Sequence, residues 1–275
     1  MSLVFTTTSC DMDLTPDSAV PEHEALRTID DCDAWVVGIY SAFKNSALYS
    51  GYMTLLPDIQ ADMAYAALNT NNGFYTNIYQ WDIKSTTDEI IAVYNGLYTI
   101  VARCNFFLDY KDQVEVNLKT TADKDNFKKR LGEVYFARAM AYAELIRLFC
   151  EPMTSVNADT ENMGICLPTT YRDDVPKVKR STLRESYNQI ISDLKSAEDN
   201  LPDSRTVADS HYFSKGAVYA LRARIYMYMG MGDLKRDRNN EYLKKSVEAA
   251  TKVIKLGVYE LSDAINNAFV IDSKY

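Results

Sequence analysis

One short stretch gathers the residue types suited to recognition. It reads Leu68-Asn69-Thr70-Asn71-Asn72-Gly73-Phe74-Tyr75-Thr76-Asn77-Ile78-Tyr79-Gln80-Trp81-Asp82. Phe74, Tyr75, Tyr79 and Trp81 offer flat apolar faces, and the tyrosines and the indole add a polar tip. Asn69, Asn71, Asn72 and Asn77 offer amides that donate and accept hydrogen bonds. Such a mixture grips a ligand and breaks no bond. The opposite use stays open on residue type alone, because Ile78, Tyr79 and Trp81 pack equally well under a helical layer.

Bond-making chemistry finds little support. The cysteines are Cys10, Cys32, Cys104, Cys150 and Cys166, with no CxxC, and the histidines are His23 and His211. A zinc site lacks its ligand spacing. Serine or cysteine hydrolysis needs a histidine base, and neither histidine lies in a recognisable motif. Glycoside hydrolysis needs two carboxylates facing each other across a cleft, whereas the acids that can be placed sit at helix starts. Asp30, Asp31 and Asp33 read as capping residues rather than a metal site. No nucleophile elbow, P-loop, dinucleotide fingerprint or zinc motif occurs. The reading is a chain that is not an enzyme and carries neither cofactor nor metal.

Charge narrows the partners. A net charge of −8 and a pI near 4.9 argue against nucleic acid and against electrostatic docking on anionic lipid. No stretch approaches the roughly 18 apolar residues of a membrane span.

The elements that must position the aromatic loop read as helices. With 47% hydrophobic residues, 10 Gly and 7 Pro, the chain favours long helices over a turn-rich β fold. Asp30 is a plausible N-cap for a stripe of Trp35, Val36, Ile39, Tyr40 and Phe43. A shorter pattern over 54–67 carries Leu55, Ile59, Met63 and Ala67. Asn71-Asn72-Gly73 signals a turn. A helix from Asp88 to Tyr110 opens on a Thr86-x-x-Glu89 capping box, and the next spans Thr121 to Phe149, stopped by Pro152. Thr182-x-x-Glu185 opens another, closed by Asn200-Leu201-Pro202. Helices over 214–230 and 241–256 follow, with Gly230, Gly232 and Gly257 at their ends. The pairing is two helix–loop–helix units and a lone last helix. Large apolar residues facing small ones give an all-α fold of tetratricopeptide-like hairpins with long irregular loops.

Arg138 and Arg147 lie on or near an apolar helix face and read as structural, each paired with an acid inside the stack. Cys32 and Cys104 sit in apolar patterns and Cys150 closes one, so they read as small buried hydrophobes.

Several blocks carry a family likeness. The run from Tyr135 to Met153, through Phe136-Ala137-Arg138-Ala139, Tyr142 and Leu145-Ile146-Arg147-Leu148-Phe149, resembles the SusD/RagB family pattern. Arg180-Ser181-Thr182, Tyr187, Ile190, Asp193-Leu194 and Leu201-Pro202 resemble its next block. Lys215-Gly216-Ala217, Ala220-Leu221, Ala223-Arg224, Tyr226 and Gly230 resemble the one after. Val253-Ile254, Gly257, Tyr259 and Leu261 are similar to its closing helix, and Cys10-x-x-Asp13-Leu14-x-Pro16 to its opening. The family usually has Gly where Cys150 stands, so the turn there is expected to be built differently.

The resemblance implies a nutrient-binding protein that captures oligosaccharide or peptide beside a SusC-like TonB-dependent transporter. It implies a surface-exposed lipoprotein of the outer membrane, held by a lipid anchor alone. The opening also resembles the tail of a lipoprotein signal peptide, with Cys10 as the lipidated residue, although the charged and apolar regions of such a peptide are missing. Residues 1–20 are then a leader remnant and linker, and 21–275 a SusD-like helical domain without the family's C-terminal portion. On this reading the glycan platform comprises Trp81, Tyr75, Tyr79, Phe74, Asn72 and Asn71. Trp81 and Tyr75 would stack on sugar rings and Asn72 would make a polar contact. The second reading is a helical-repeat adaptor that binds peptides or protein partners.

Overall fold

Caps and apolar stripes set where the chain turns. A computed structural model describes residues 21–66, 73–171, 179–206, 209–232 and 238–260. Among these residues the chain forms eight α-helices and no named strand. They are α1 (Ile29–Phe43), α2 (Tyr52–Gln60), α3 (Thr76–Tyr79), α4 (Asp88–Glu115), α5 (Thr121–Phe149), α6 (Leu183–Asn200), α7 (Lys215–Met231) and α8 (Asn240–Lys255). The fold is all-α, built from successive packed helix pairs: α4 with α5, α5 with α6, and α7 with α8. The last helix is therefore not alone, since α7 is its main partner.

Several boundaries and caps differ from the sequence reading: α2 ends at Gln60 rather than near 67, α3 forms within the expected loop, and α4 runs on to Glu115 rather than Tyr110. The cap of α1 is Thr28, not Asp30. The Thr28 hydroxyl accepts from the Asp31 amide at 3.2 Å, and the Asp31 carboxylate accepts from the Thr28 amide at 2.8 Å. Asp33 instead reaches α5, where Arg130 donates to it at 2.5 Å. At α4 the expected box at Thr86 does not form. The N-cap is Thr87, which turns its hydroxyl back to accept from the Lys84 amide at 3.0 Å. The expected box of Thr182 with Glu185 forms and starts α6, and a box the sequence reading did not name, Thr120 with Asp123, starts α5.

The core lies along α4 and α5, between α1 and α6. Leu97, Ile100, Val101, Cys104 and Phe107 meet Val134, Ala137, Ala141, Tyr142 and Leu145 there. Helix α4 carries an 18-residue window of mean hydropathy 1.2, long and apolar enough to cross a membrane by composition. The sequence reading gave no such stretch. Its apolarity has a local cause, because α4 contacts α1, α2 and α5 at once. Cys32 and Cys104 are fully buried, and burial raises both thiols, Cys32 to about 12. Cys150 ends α5 at φ −125°, an extended conformation that needs no glycine.

A buried polar node fixes three helices. Arg138 donates to both carboxylate oxygens of Asp193 at 2.8 and 2.7 Å and to the Asn105 side-chain oxygen at 2.8 Å. The Asn105 amide and the Tyr142 hydroxyl both donate to the Pro168 carbonyl at 2.6 Å. The node therefore ties α4, α5, α6 and the loop after residue 166. Arg147 pairs with Glu144 one turn earlier, and the Tyr49 hydroxyl donates to that carboxylate at 3.1 Å. Both arginines are structural and paired, as the sequence implied.

Candidate ligand-binding platform

The aromatic stretch stands on its own small core. Leu56 and Ile59 of α2 and Ile78 of α3 are buried together, with Tyr52, Tyr75, Tyr79, Ile83 and Ile90 packed around them. Tyr52 also packs on the main core, so it hinges the two.

Both short helices end the same way. In a Schellman motif the residue after the C-cap adopts the left-handed conformation, and two crossed hydrogen bonds close the end. At α3 that residue is Trp81, at φ 58°. Its amide donates to the Ile78 carbonyl at 3.2 Å, and the Asp82 amide donates to the Asn77 carbonyl at 2.9 Å. At α2 it is Asp62, also at φ 58°, with its amide donating to Ile59 and that of Met63 to Asp58. Glycine is usual at this position, and the corresponding residue of α8 is Gly257 at φ 64°. Tyr75, the N-cap of α3, is left-handed as well. The turn thus holds a tryptophan where most chains place glycine, on a hydrogen-bonded backbone.

The side chains divide into floor and surface. Trp81 is 64% exposed and Phe74 is 67% exposed. Tyr75 is half-buried, edge-on to Tyr52 with centroids 6.1 Å apart and tilted to Phe74 at 6.2 Å. Tyr79 is half-buried on the small core. Asn71 and Asn72 lie outside the described residues, as does Cys10. Two exposed residues escaped the sequence reading: Tyr65, 80% exposed, and Met63, 79% exposed. Met63 continues the Leu55–Ile59 stripe, but the left-handed Asp62 ends the helix one residue before it. Asp tolerates that conformation better than most side chains, which was the one available signal.

Concave places also lie elsewhere. A mostly apolar groove of about 380 Å³ runs past Ile146, Cys150, Tyr187, Met227 and Met231. A cleft of mixed polarity, about 350 Å³, lies between Met153, Thr154, Arg184, Met229, Asn240 and Tyr242.

Residues 12–227 match the sequence profile of the SusD-like family, described as starch-binding and associating with the outer membrane. The chain belongs to the SusD-like family. It is 22% identical over 230 residues to SusD-like protein P2 of Formosa agariphila, covering 83% of this chain and 42% of that protein. The solved structure of a SusD homolog from Bacteroides thetaiotaomicron is 21% identical, with a TM-score of 0.73 over 90% of this chain and 44% of its own. Another SusD superfamily structure from Bacteroides thetaiotaomicron is 23% identical, with a TM-score of 0.66 over 86% of this chain and 48% of its own. A further structure, described as with xylogluco-oligosaccharide, is 16% identical at a TM-score of 0.64 over 84% of this chain and 41% of its own. The chain spans less than half the length of each of these four relatives.

Proposed function

We propose that this chain is the helical part of a non-catalytic, glycan-binding lipoprotein of the outer-membrane surface. It captures oligosaccharide and passes it to a SusC-like TonB-dependent transporter. The observation that carries the reading is the exposed Trp81 on a hydrogen-bonded turn in a SusD-like chain. An exposed indole is costly to leave in water and is well matched to the apolar C–H face of a pyranose ring. Phe74 extends the apolar area, and Tyr75 and Tyr79 back it from the small core. Asn71 and Asn72 supply hydroxyl-bonding amides within the same stretch of sequence. The relative described with xylogluco-oligosaccharide supports glycan over peptide. The lipid anchor is assigned to Cys10.

Affinity electrophoresis of the full-length protein through gels containing single polysaccharides tests this. At least one glycan should retard the protein without being degraded, and Trp81→Ala should migrate as in a blank gel. Retardation that survives the substitution would place the site elsewhere. No retardation by any glycan would favour peptide capture or the adaptor reading.

A further inference from the structure

A stacking ring binds well only when the scaffold holds it in one place. This inference rests on the platform reading above and concerns what holds Trp81. Tyr75 and Trp81, both left-handed, bracket the single turn of α3. The Tyr79 amide donates to the Tyr75 carbonyl at 2.9 Å, and the Trp81 amide closes on the Ile78 carbonyl at 3.2 Å. A four-residue helix is only about 6 Å long. A tilt at its Tyr75 end is therefore carried through the turn to Trp81.

The Tyr75 ring meets the Tyr52 ring edge-on, with centroids 6.1 Å apart. Among the described residues, Tyr52 alone packs on both the small core and the main one. Its own place is fixed from the main core, where Leu48 and Met53, before and after it in the chain, are buried. The Tyr52 amide donates to the Ser46 carbonyl at 2.9 Å, and a Cβ on Gly51 would stand 2.2 Å from that carbonyl oxygen. Helix α4 supports the small core separately, with Ile90 packed on it and Val93 in the main core. Loss of the Tyr52 ring therefore tilts the platform without detaching it. We infer that Tyr52 is a positioning residue, which sets the place of the Trp81 ring through Tyr75 and touches no sugar itself. The edge contact takes up the Tyr75 ring, so Tyr75 passes that position on rather than stacking on sugar.

Fluorine NMR of the full-length protein labelled with 5-fluorotryptophan tests this without a ligand. The Trp81 signal is identified by its loss in Trp81→Phe. Trp35, stacked on Phe106 and packed on the main core, is the internal control. Tyr52→Leu removes the ring and keeps apolar bulk, so it should move the Trp81 signal and leave that of Trp35 in place. Tyr75→Leu breaks the same contact from its other side and should move the Trp81 signal too, whereas Tyr52→Phe should not. In gels of xyloglucan or soluble starch, whichever retards the wild type, Tyr52→Leu should weaken binding by about tenfold and Tyr52→Phe should bind as the wild type does. A Trp81 signal unmoved in Tyr52→Leu, or a Trp35 signal that moves with it, would overturn this inference and leave the platform standing. So would retardation kept in Tyr52→Leu but lost in Trp81→Ala. Retardation that ignores both substitutions, or none in either gel, would overturn both readings.

Discussion

Trp81 joins two demands in one residue. Its backbone closes α3 in the left-handed region, and its ring stands in water. A non-glycine residue there stores roughly 1 kcal/mol or more, which the hydrogen bonds of the turn and the packing of Ile78 offset. This separates stability from binding. Trp81→Gly relieves the backbone strain and removes the ring, so it should be more stable than Trp81→Ala by about 1 kcal/mol in chemical denaturation. Both variants should lose glycan binding alike. A Trp81→Gly variant less stable than Trp81→Ala would show that the turn is not strained. The sequence made Trp81 a candidate by residue type but gave no sign of its conformation. Tyr65 and Met63 stayed hidden because the helix end at Asp62 carries no glycine or proline to mark it. Trp35 shows why aromatic content alone misleads. Its ring stacks on Phe106 at 4.3 Å and its indole N–H donates to the Arg103 carbonyl.

At the scale of elements, patterning and caps made most helices legible. The Thr182 box and the apolar faces of α5 and α6 were readable because local chemistry and tertiary packing agree there, whereas the Thr120 box, closed by Asp123, was not read. The α4 start at Asp88 was legible but its cap was not, because Thr87 and not Thr86 is the N-cap, its hydroxyl accepting from the Lys84 amide. The helix pairs need close contacts. A Cβ on Gly132 of α5 would stand 2.8 Å from Leu201 Cγ and 3.1 Å from the Asn200 backbone carbon. Gly132→Ala should therefore cost about 1–3 kcal/mol despite alanine's better helix propensity, measured by urea unfolding. Arg138→Ala leaves Asp193 buried and unpaired and should cost about 3–5 kcal/mol. The double replacement Arg138→Met with Asp193→Leu should cost less.

Acid should act on the α6–α8 layer through Glu198. Partial burial raises its pKa, but bonds from Arg222 and Tyr219 and the Lys252 charge hold it below the usual value. A carboxyl lowered in the folded state stabilises above its unfolded pKa, near 4.3, and that stability is lost as pH falls through the lower folded value. The melting temperature should fall more steeply below about pH 5 in the wild type than in Glu198→Gln. Parallel curves would remove Glu198 from the account.

The whole molecule divides into a helical scaffold with one core and a small satellite core that carries the rings. The family match gives the scaffold its context, an outer-membrane-associated, carbohydrate-binding family. The chain spans less than half of the relatives compared. Purification of the native protein from outer membranes in mild detergent should recover a TonB-dependent transporter with it, and its absence would count against the proposed delivery step. The central claim concerns the platform, and a crystal structure of the full-length protein with a bound oligosaccharide tests it most directly. A pyranose ring lying in van der Waals contact with the Trp81 indole is the expected result. A fully ordered sugar bound elsewhere, with the Trp81 indole bare, would contradict it.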